Sequence, residues 1–223
     1  MLSGMSFSAA VRHLKKHDPV MRALITAHGP CKMRREYETE PFASLVDAII
    51  YQQISYAAAG SIARRFRALY GENGGPGRLP RPEELLKTHP RTLRSVGLSR
   101  QKSAYMRDLA AKAADGSLRL HEFHALSDQE VIENVTQVKG IGRWTAEMFL
   151  MFCLGRMDVL PVGDLGVQYG FKIAYKMRKM PKPEKMEKLA EPWRPYRSVA
   201  TWYLWQIRRE ELLRAKKKTA QPE

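Results

Sequence analysis

Two things are nearly missing from this 223-residue chain: cysteine, and long unbroken apolar runs. Cys31 and Cys153 are too few for a four-cysteine iron–sulfur cluster, which excludes that cofactor. Both read as reduced thiols of an intracellular protein. No stretch approaches the ~20 apolar residues of a membrane span, so no membrane partner is expected. The opening Met-Leu-Ser-Gly-Met-Ser lacks the basic-then-apolar pattern of a secretion signal. β-strand alternation and internal repeats are also scarce. Acidic residues run short as well: 23 Asp and Glu face 38 Lys and Arg, a net charge of +15. A polyanionic partner follows from that balance, although charge alone does not separate DNA from RNA or from an acidic membrane surface. The densest basic spots are Arg64-Arg65-Phe-Arg67, the Arg208–Arg209 pair and Lys216-Lys-Lys218, the last reading as a solvated tail.

What remains is helix. Apolar content of 44% and charged content of 27% describe an ordinary soluble globular protein, long enough for one large domain or two small ones. Phe7, Ala10, Val11 and Leu14 form a helical stripe, and Asp18-Pro19 starts a second helix that ends near Gly29-Pro30. Cys31 to Glu40 is polar and irregular, a connection between domains, with Tyr37 readable as core. Pro41 opens a helix with the stripe Phe42, Leu45, Val46, Ile49 and Ile50. Its spacing continues to Gln53, whose amide reads either as a cap for local carbonyls or as a functional group. Ser55 begins another helix, and Gly71 to Pro82 is a loop. Short helices are expected at Pro82–Lys87 and Pro90–Ser95, then a longer one from Arg100 to about Ala114. Ser99 serves there as N-cap or, with Lys102, as a phosphate holder. A further helix should run from Leu165 to Lys176, followed by a proline-interrupted connection. The last should run from Tyr196 to about Leu213 on the stripe Ala200, Tyr203, Leu204 and Ile207. Trp202 and Trp205 fall off that stripe and either pack on a second layer or line a cleft.

The stretch around which the rest is organised is Val138-Lys-Gly-Ile-Gly-Arg-Trp-Thr-Ala146, followed by Leu160-Pro-Val-Gly-Asp164-Leu. Ser127 caps the helix entering the turn. The helix leaving it runs from Arg143 to Leu154 with Trp144, Met148, Met151 and Phe152 on one side. Gly140 and Gly142 can take positive φ and admit close backbone approach. The turn would then aim free N–H groups, and the positive end of a helix, at an anion such as a nucleic-acid phosphate. A plain glycine C-cap between two packed helices accounts for a lone G-x-G equally well. Asp164 in front of an apolar helical run has the position of an N-cap.

The two segments together resemble the DNA-3-methyladenine glycosylase II family of helix-hairpin-helix DNA glycosylases, in which G-I-G-R-W-T-A and a following P-x-x-D-L are typical. The resemblance reaches from about Pro41 to Arg209. It implies an all-α fold of two helical domains flanking a DNA-binding cleft. One domain would be discontinuous, residues 1–41 and 158–223, and carry the catalytic aspartate. The other, residues 42–157, would carry the wedge turn and the hairpin. The activity implied is hydrolysis of the N-glycosidic bond of alkylated purines, 3-methyladenine and 7-methylguanine, in duplex DNA during base excision repair.

The same resemblance assigns residues. Asp164 is the catalytic carboxylate. Trp144, Trp205, Met148 and Tyr51 belong to the base pocket, with Met148 standing where the best-known relatives carry tyrosine. Gln53 is the DNA wedge, with Gln52 beside it. Lys139, Gly140, Ile141, Gly142 and Thr145 form the phosphate-binding hairpin. The carbonyls of Thr136, Val138 and Ile141 would hold a monovalent cation; no other cofactor is implied. Bifunctional members carry a lysine where this chain has Trp144. An indole cannot form a Schiff base, so the chemistry expected is monofunctional and leaves an abasic site. Glu147 reads as a surface or supporting acid. The partner is double-stranded DNA with damaged bases, the protein a monomer, and the compartment the one that holds the DNA. Two alternatives stand beside this reading: a related monofunctional glycosylase for deaminated or oxidised bases, and a non-catalytic helix-hairpin-helix DNA-binding protein.

Overall fold

The computed structural model describes residues 7–33, 40–71 and 77–219, with side chains to 213 in the last helix. Tyr37, the middle of the Gly71–Pro82 loop and the Lys216–Lys218 side chains lie outside the described residues. Twelve α-helices and two 3-10 turns make up the regular structure, and no strand occurs among the described residues. The helices are α1 Ser8–His17, α2 Pro19–His28, α3 Pro41–Tyr51, α4 Tyr56–Ala68, α5 Pro82–Lys87, α6 Pro90–Ser95, α7 Arg100–Ala114, α8 Asp128–Val135, α9 Arg143–Phe152, α10 Leu165–Ala174, α11 Pro183–Ala190 and α12 Arg197–Thr219. They divide into two compact units, one of Met1–Arg34 with Arg156–Glu223 and one of Arg35–Gly155.

In the first unit α1, α2, α10, α11 and α12 surround a core of Leu14, Met21, Ile25, Phe171, Trp193 and Tyr203. Asp18 caps α2 by accepting the Val20 and Met21 amides. It is nevertheless buried, because its second oxygen accepts the Tyr175 hydroxyl and the Trp193 indole N–H. A buried carboxylate costs little only when it is hydrogen-bonded in this way. Helix α11 was not expected: Pro181 and Pro183 look like breaks, yet Pro183 occupies the first turn, where no N–H is missed. It places Met186 and Ala190 in the core. Helix α10 ends two residues early, at Ala174, with Lys176 in the left-handed region (φ 51°). Helix α12 extends past Leu213 to Thr219.

Two glycines set how closely α10 and α12 approach. A Cβ at Gly170 would lie 2.6 Å from Leu204 Cβ, and one at Gly166 would lie 3.0 Å from the Trp205 ring. Being four residues apart, they present one bare stripe that α12 occupies.

In the second unit the α3 stripe of Phe42, Leu45, Val46, Ile49 and Ile50 is fully buried, each large side chain contributing about 1.5–3 kcal/mol of transfer free energy. Helices α4, α7 and α9 all pack on α3, while α5 and α6 pack on α7 and α8 packs on α9. Asp47 is paired with Arg67 at 2.7 Å inside this packing. The capped starts are as the residues demand: Ser55, Ser99 and Ser127 accept first-turn amides, and Ser127 and Glu130 form a capping box.

Candidate functional site

The Val138–Gly142 turn joins α8 to α9. Gly140 is left-handed (φ 81°), and a Cβ there would come within 2.2 Å of the Tyr105 ring. Gly142 differs from expectation: at φ −94°, ψ 175° it is extended, has open space around it, and serves as the N-cap of α9 without any side-chain acceptor. Gly142 therefore brings no side-chain acceptor of its own to the positive end of the helix. Two other amides of the turn are engaged within the unit, that of Ile141 with the Val138 carbonyl at 3.0 Å and that of Lys139 with Asp108 Oδ2 at 2.8 Å. The Lys139 ammonium is exposed and 3.9 Å from Asp108 Oδ1.

Trp144 sits on the apolar side of α9 yet is 50% exposed, whereas Met148 and Met151 on the same side are buried. It lines a cavity of about 70 Å³ together with Tyr51, Gln52, Thr145 and Met148. Four residues expected at two separate functions thus share one recess, and Thr145 opens into it rather than standing only at the hairpin. Tyr51 lies against Tyr56, ring centroids 5.1 Å apart, and burial pushes its phenol above the usual tyrosine value. Glu147 is not on the surface: it is 4% exposed, and its Oε1 accepts from Arg143 Nε at 3.1 Å.

The turn expected to carry the wedge leaves α3 at Tyr51. Gln53 does not continue the apolar stripe, because it is left-handed (φ 57°) and its side chain is exposed. The Gln52 amide caps no local carbonyl but reaches across the unit: its Nε2 donates to the Gly140 carbonyl at 2.9 Å, tying this turn to the hairpin. Lys102, expected beside Ser99 as a phosphate holder, instead donates to the Ile50 and Gln52 carbonyls, each at 2.7 Å. Ser99 is an ordinary N-cap.

The acid lies in the other unit. Asp164 caps α10, its Oδ1 accepting the Val167 amide at 2.7 Å and the Trp205 indole N–H at 3.0 Å. Gly166 makes the second bond possible, since a Cβ there would sit 3.0 Å from both Asp164 Oδ1 and the Trp205 ring. The sequence carried a signal for this, the Gly166-x-x-x-Gly170 spacing, which the reading of motifs passed over. Trp202 packs on the first unit's core, its ring meeting Tyr203 edge-on at 4.9 Å. No cluster of three or more His, Cys, Asp or Glu suited to a metal occurs among the described residues, and none of their helices is long and apolar enough to cross a membrane.

Comparison with known proteins agrees with this geometry. The chain is 32% identical over 208 residues, 93% of its length and 96% of the relative's, to the alkylbase DNA glycosidase-like protein mag2 of Schizosaccharomyces pombe. The 3-methyladenine DNA glycosylase of the same yeast, solved in complex with abasic DNA, superposes with a TM-score of 0.75 at 34% identity, covering 89% of this chain and 96% of that one. A DNA-3-methyladenine glycosidase of Bacillus halodurans gives a TM-score of 0.80 at 36% identity, with 92% and 91% covered. Residues 46–195, which hold the wedge turn, the hairpin and Asp164, match the family described as HhH-GPD superfamily base excision DNA repair protein, and the chain belongs to that superfamily.

Proposed function

We propose that this protein is a monofunctional DNA-3-methyladenine glycosylase that excises alkylated purines from duplex DNA in base excision repair. The observation that carries the reading is the Asp164 carboxylate, fixed by two N–H donors at the start of α10. Hydrolysis of an N-glycosidic bond builds positive charge on the sugar, as glycoside hydrolysis does. A carboxylate already held in place stabilises that charge without reorganising, and it orients or deprotonates the attacking water. Capping and catalysis are then one arrangement, since the cap bond aims the carboxylate.

N3-methyladenine and N7-methylguanine nucleotides carry a positive charge on the base, which weakens the bond and makes the base a good leaving group. No dedicated general acid is needed. The exposed face of Trp144 is an electron-rich surface for such a cation, and Trp205 is assigned to the same task. Met148 supplies a soft, adaptable contact where the best-known relatives have a phenol. Extruding the nucleotide costs a few kcal/mol. Phosphate contacts at the start of α9, and Gln53 filling the vacated stack, offset part of it. The Thr136, Val138 and Ile141 carbonyls would hold a monovalent cation, neutral oxygens suiting a single charge. Held there, it would supply positive charge favourable to a nearby phosphate. With Trp144 in the lysine position and the Lys139 ammonium facing Asp108, no amine is assigned to attack the sugar.

The test is base release from methylated duplex DNA by the wild type and by Asp164→Asn, with strand breaks scored before and after alkali. We expect release to fall by about 10²–10³-fold in the variant, and breaks only after alkali. Undiminished release by Asp164→Asn would remove the catalytic assignment. Tight binding without release by the wild type would favour the binding protein or a neutral lesion.

A further inference from the structure

Lys102 is a lysine in a strongly basic DNA-binding protein, and its ammonium is not turned to solvent. It donates to the carbonyls of Ile50 and Gln52, both at 2.7 Å, at the end of α3. The Ile50 carbonyl belongs to the last turn of α3 and the Gln52 carbonyl to its extended C-cap, so neither has an intrahelical donor. A cation at the negative end of the helix dipole is favourable there. The residue that follows, Gln53, is left-handed without being glycine, a conformation that persists only where its surroundings hold it. Lys102 grips the main chain immediately before it.

The same helix holds the hairpin. Tyr105, one turn beyond Lys102, fills the space that Gly140 leaves open, and its hydroxyl accepts from Gln101 Nε2. Asp108, another turn on, accepts the Lys139 amide at 2.8 Å and the Lys112 ammonium at 2.9 Å. Each of these residues is the i+3 neighbour of the one before it, so they follow one another along the helix. The Gln52 amide on the Gly140 carbonyl closes the loop directly between the two turns. Burial also keeps the Lys102 amine below the usual lysine value, consistent with a group facing protein rather than water.

We infer that Lys102 is a positioning residue: through the Ile50 and Gln52 carbonyls it sets the wedge turn at a fixed place relative to the hairpin, with α7 as the common support. The inference rests on the reading of Gln53 as the wedge. Phosphate capture at the hairpin then delivers Gln53 to the duplex in one register. Lys102 touches neither base nor phosphate.

The experiment compares wild type, Lys102→Met and Lys102→Arg. The quantities read are affinity for undamaged and for lesion-containing duplex, single-turnover release of 7-methylguanine, and the fluorescence of 2-aminopurine placed beside the lesion as a report of wedge insertion. Lys102→Met should bind undamaged duplex as the wild type does, lose the fluorescence response, and release base more slowly by about tenfold or more. Lys102→Arg, which can reach the same two carbonyls, should recover both. A wild-type response and rate in Lys102→Met would overturn the inference. So would an equal loss of affinity for undamaged and damaged duplex, which would make Lys102 a phosphate ligand. Thermal melting separates these from unfolding; if Lys102→Met melts early, Gln52→Leu cuts the link at the surface and should lower the fluorescence response in the same way. A wild type that releases no methylated base would refute the proposed activity, and the fluorescence comparison would still judge Lys102.

Discussion

Helices α9 and α10 begin alike and end up opposite. Each follows a glycine-bearing turn, and each N-cap is extended. At α9 the N-cap is Gly142, which has no side chain to cap the first-turn amides. At α10 the N-cap is Asp164, which brings its own carboxylate to the first turn. A helix start is a place for a negative charge in both cases. One residue decides whether that charge comes from outside, as a phosphate would, or is built in, as a carboxylate facing a developing cation would be. Under the proposed function, the same backbone device would serve binding at one site and chemistry at the other.

Changes at these two starts should act separately. The largest effect expected is on the built-in charge: Trp205→Phe keeps a ring but removes one of the two donors on Asp164 Oδ1. Single-turnover base release should slow by about tenfold or more, less than the roughly 10²–10³-fold lost with a donor that touches the reacting atoms, while duplex affinity holds. A loss confined to affinity would show that Trp205 only binds.

A smaller effect should follow from making α9 resemble α10. Gly142→Asp places a carboxylate where the open space and extended backbone accept it. Duplex affinity should fall, and the slope of log affinity against log salt should shrink by about one contact's worth. The melting temperature should rise slightly, because Asp is the better cap by a few tenths of a kcal/mol. Unchanged affinity and slope would mean that phosphate does not use the α9 start.

The smallest effect concerns the anchor under the hairpin. Burial works against the charge on Asp108, but the Lys139 amide and the Lys112 ammonium outweigh it and hold its carboxyl below the usual aspartate value. The group therefore stabilises the fold fully above the ordinary aspartate pKa, and the contribution is lost as pH falls through the depressed value. Acid titration followed by melting should show a shallower decline in Asp108→Asn than in the wild type. Identical profiles would remove Asp108 from the account of hairpin stability.

Local signals were legible in the sequence, and long-range ones were not. Pro82, Pro90, Ser99 and Ser127 announce helix starts because a cap or a fixed φ acts within one turn of itself. The α3 stripe and the Ala200, Tyr203, Leu204 and Ile207 stripe are buried as their spacing requires. The motif residues Tyr51, Gln52, Trp144 and Met148 come together in one recess. Gln53 departed from its stripe because the helix ended first, and Lys102 holds the ending from a distant part of the chain. Glu147 reads by type as a surface or a supporting acid, and the packing of α9 decides for the second by burying it beside Arg143. Helix α11 was hidden because a proline that breaks a helix interior is harmless in its first turn.

The sequence by itself determined an all-helical chain, its helix starts, a glycine turn ahead of α9 and a carboxylate ahead of α10, since each of these depends on neighbours a few bonds away. The tertiary structure decided which amides of the turn are engaged within the unit, that Trp205 rather than Trp202 reaches Asp164, and that α7 contacts both the Ile50–Gln52 turn and the hairpin of its unit. Those outcomes depend on how closely packed helices approach, which Gly166, Gly170 and Gly140 permit and only the assembled packing fixes.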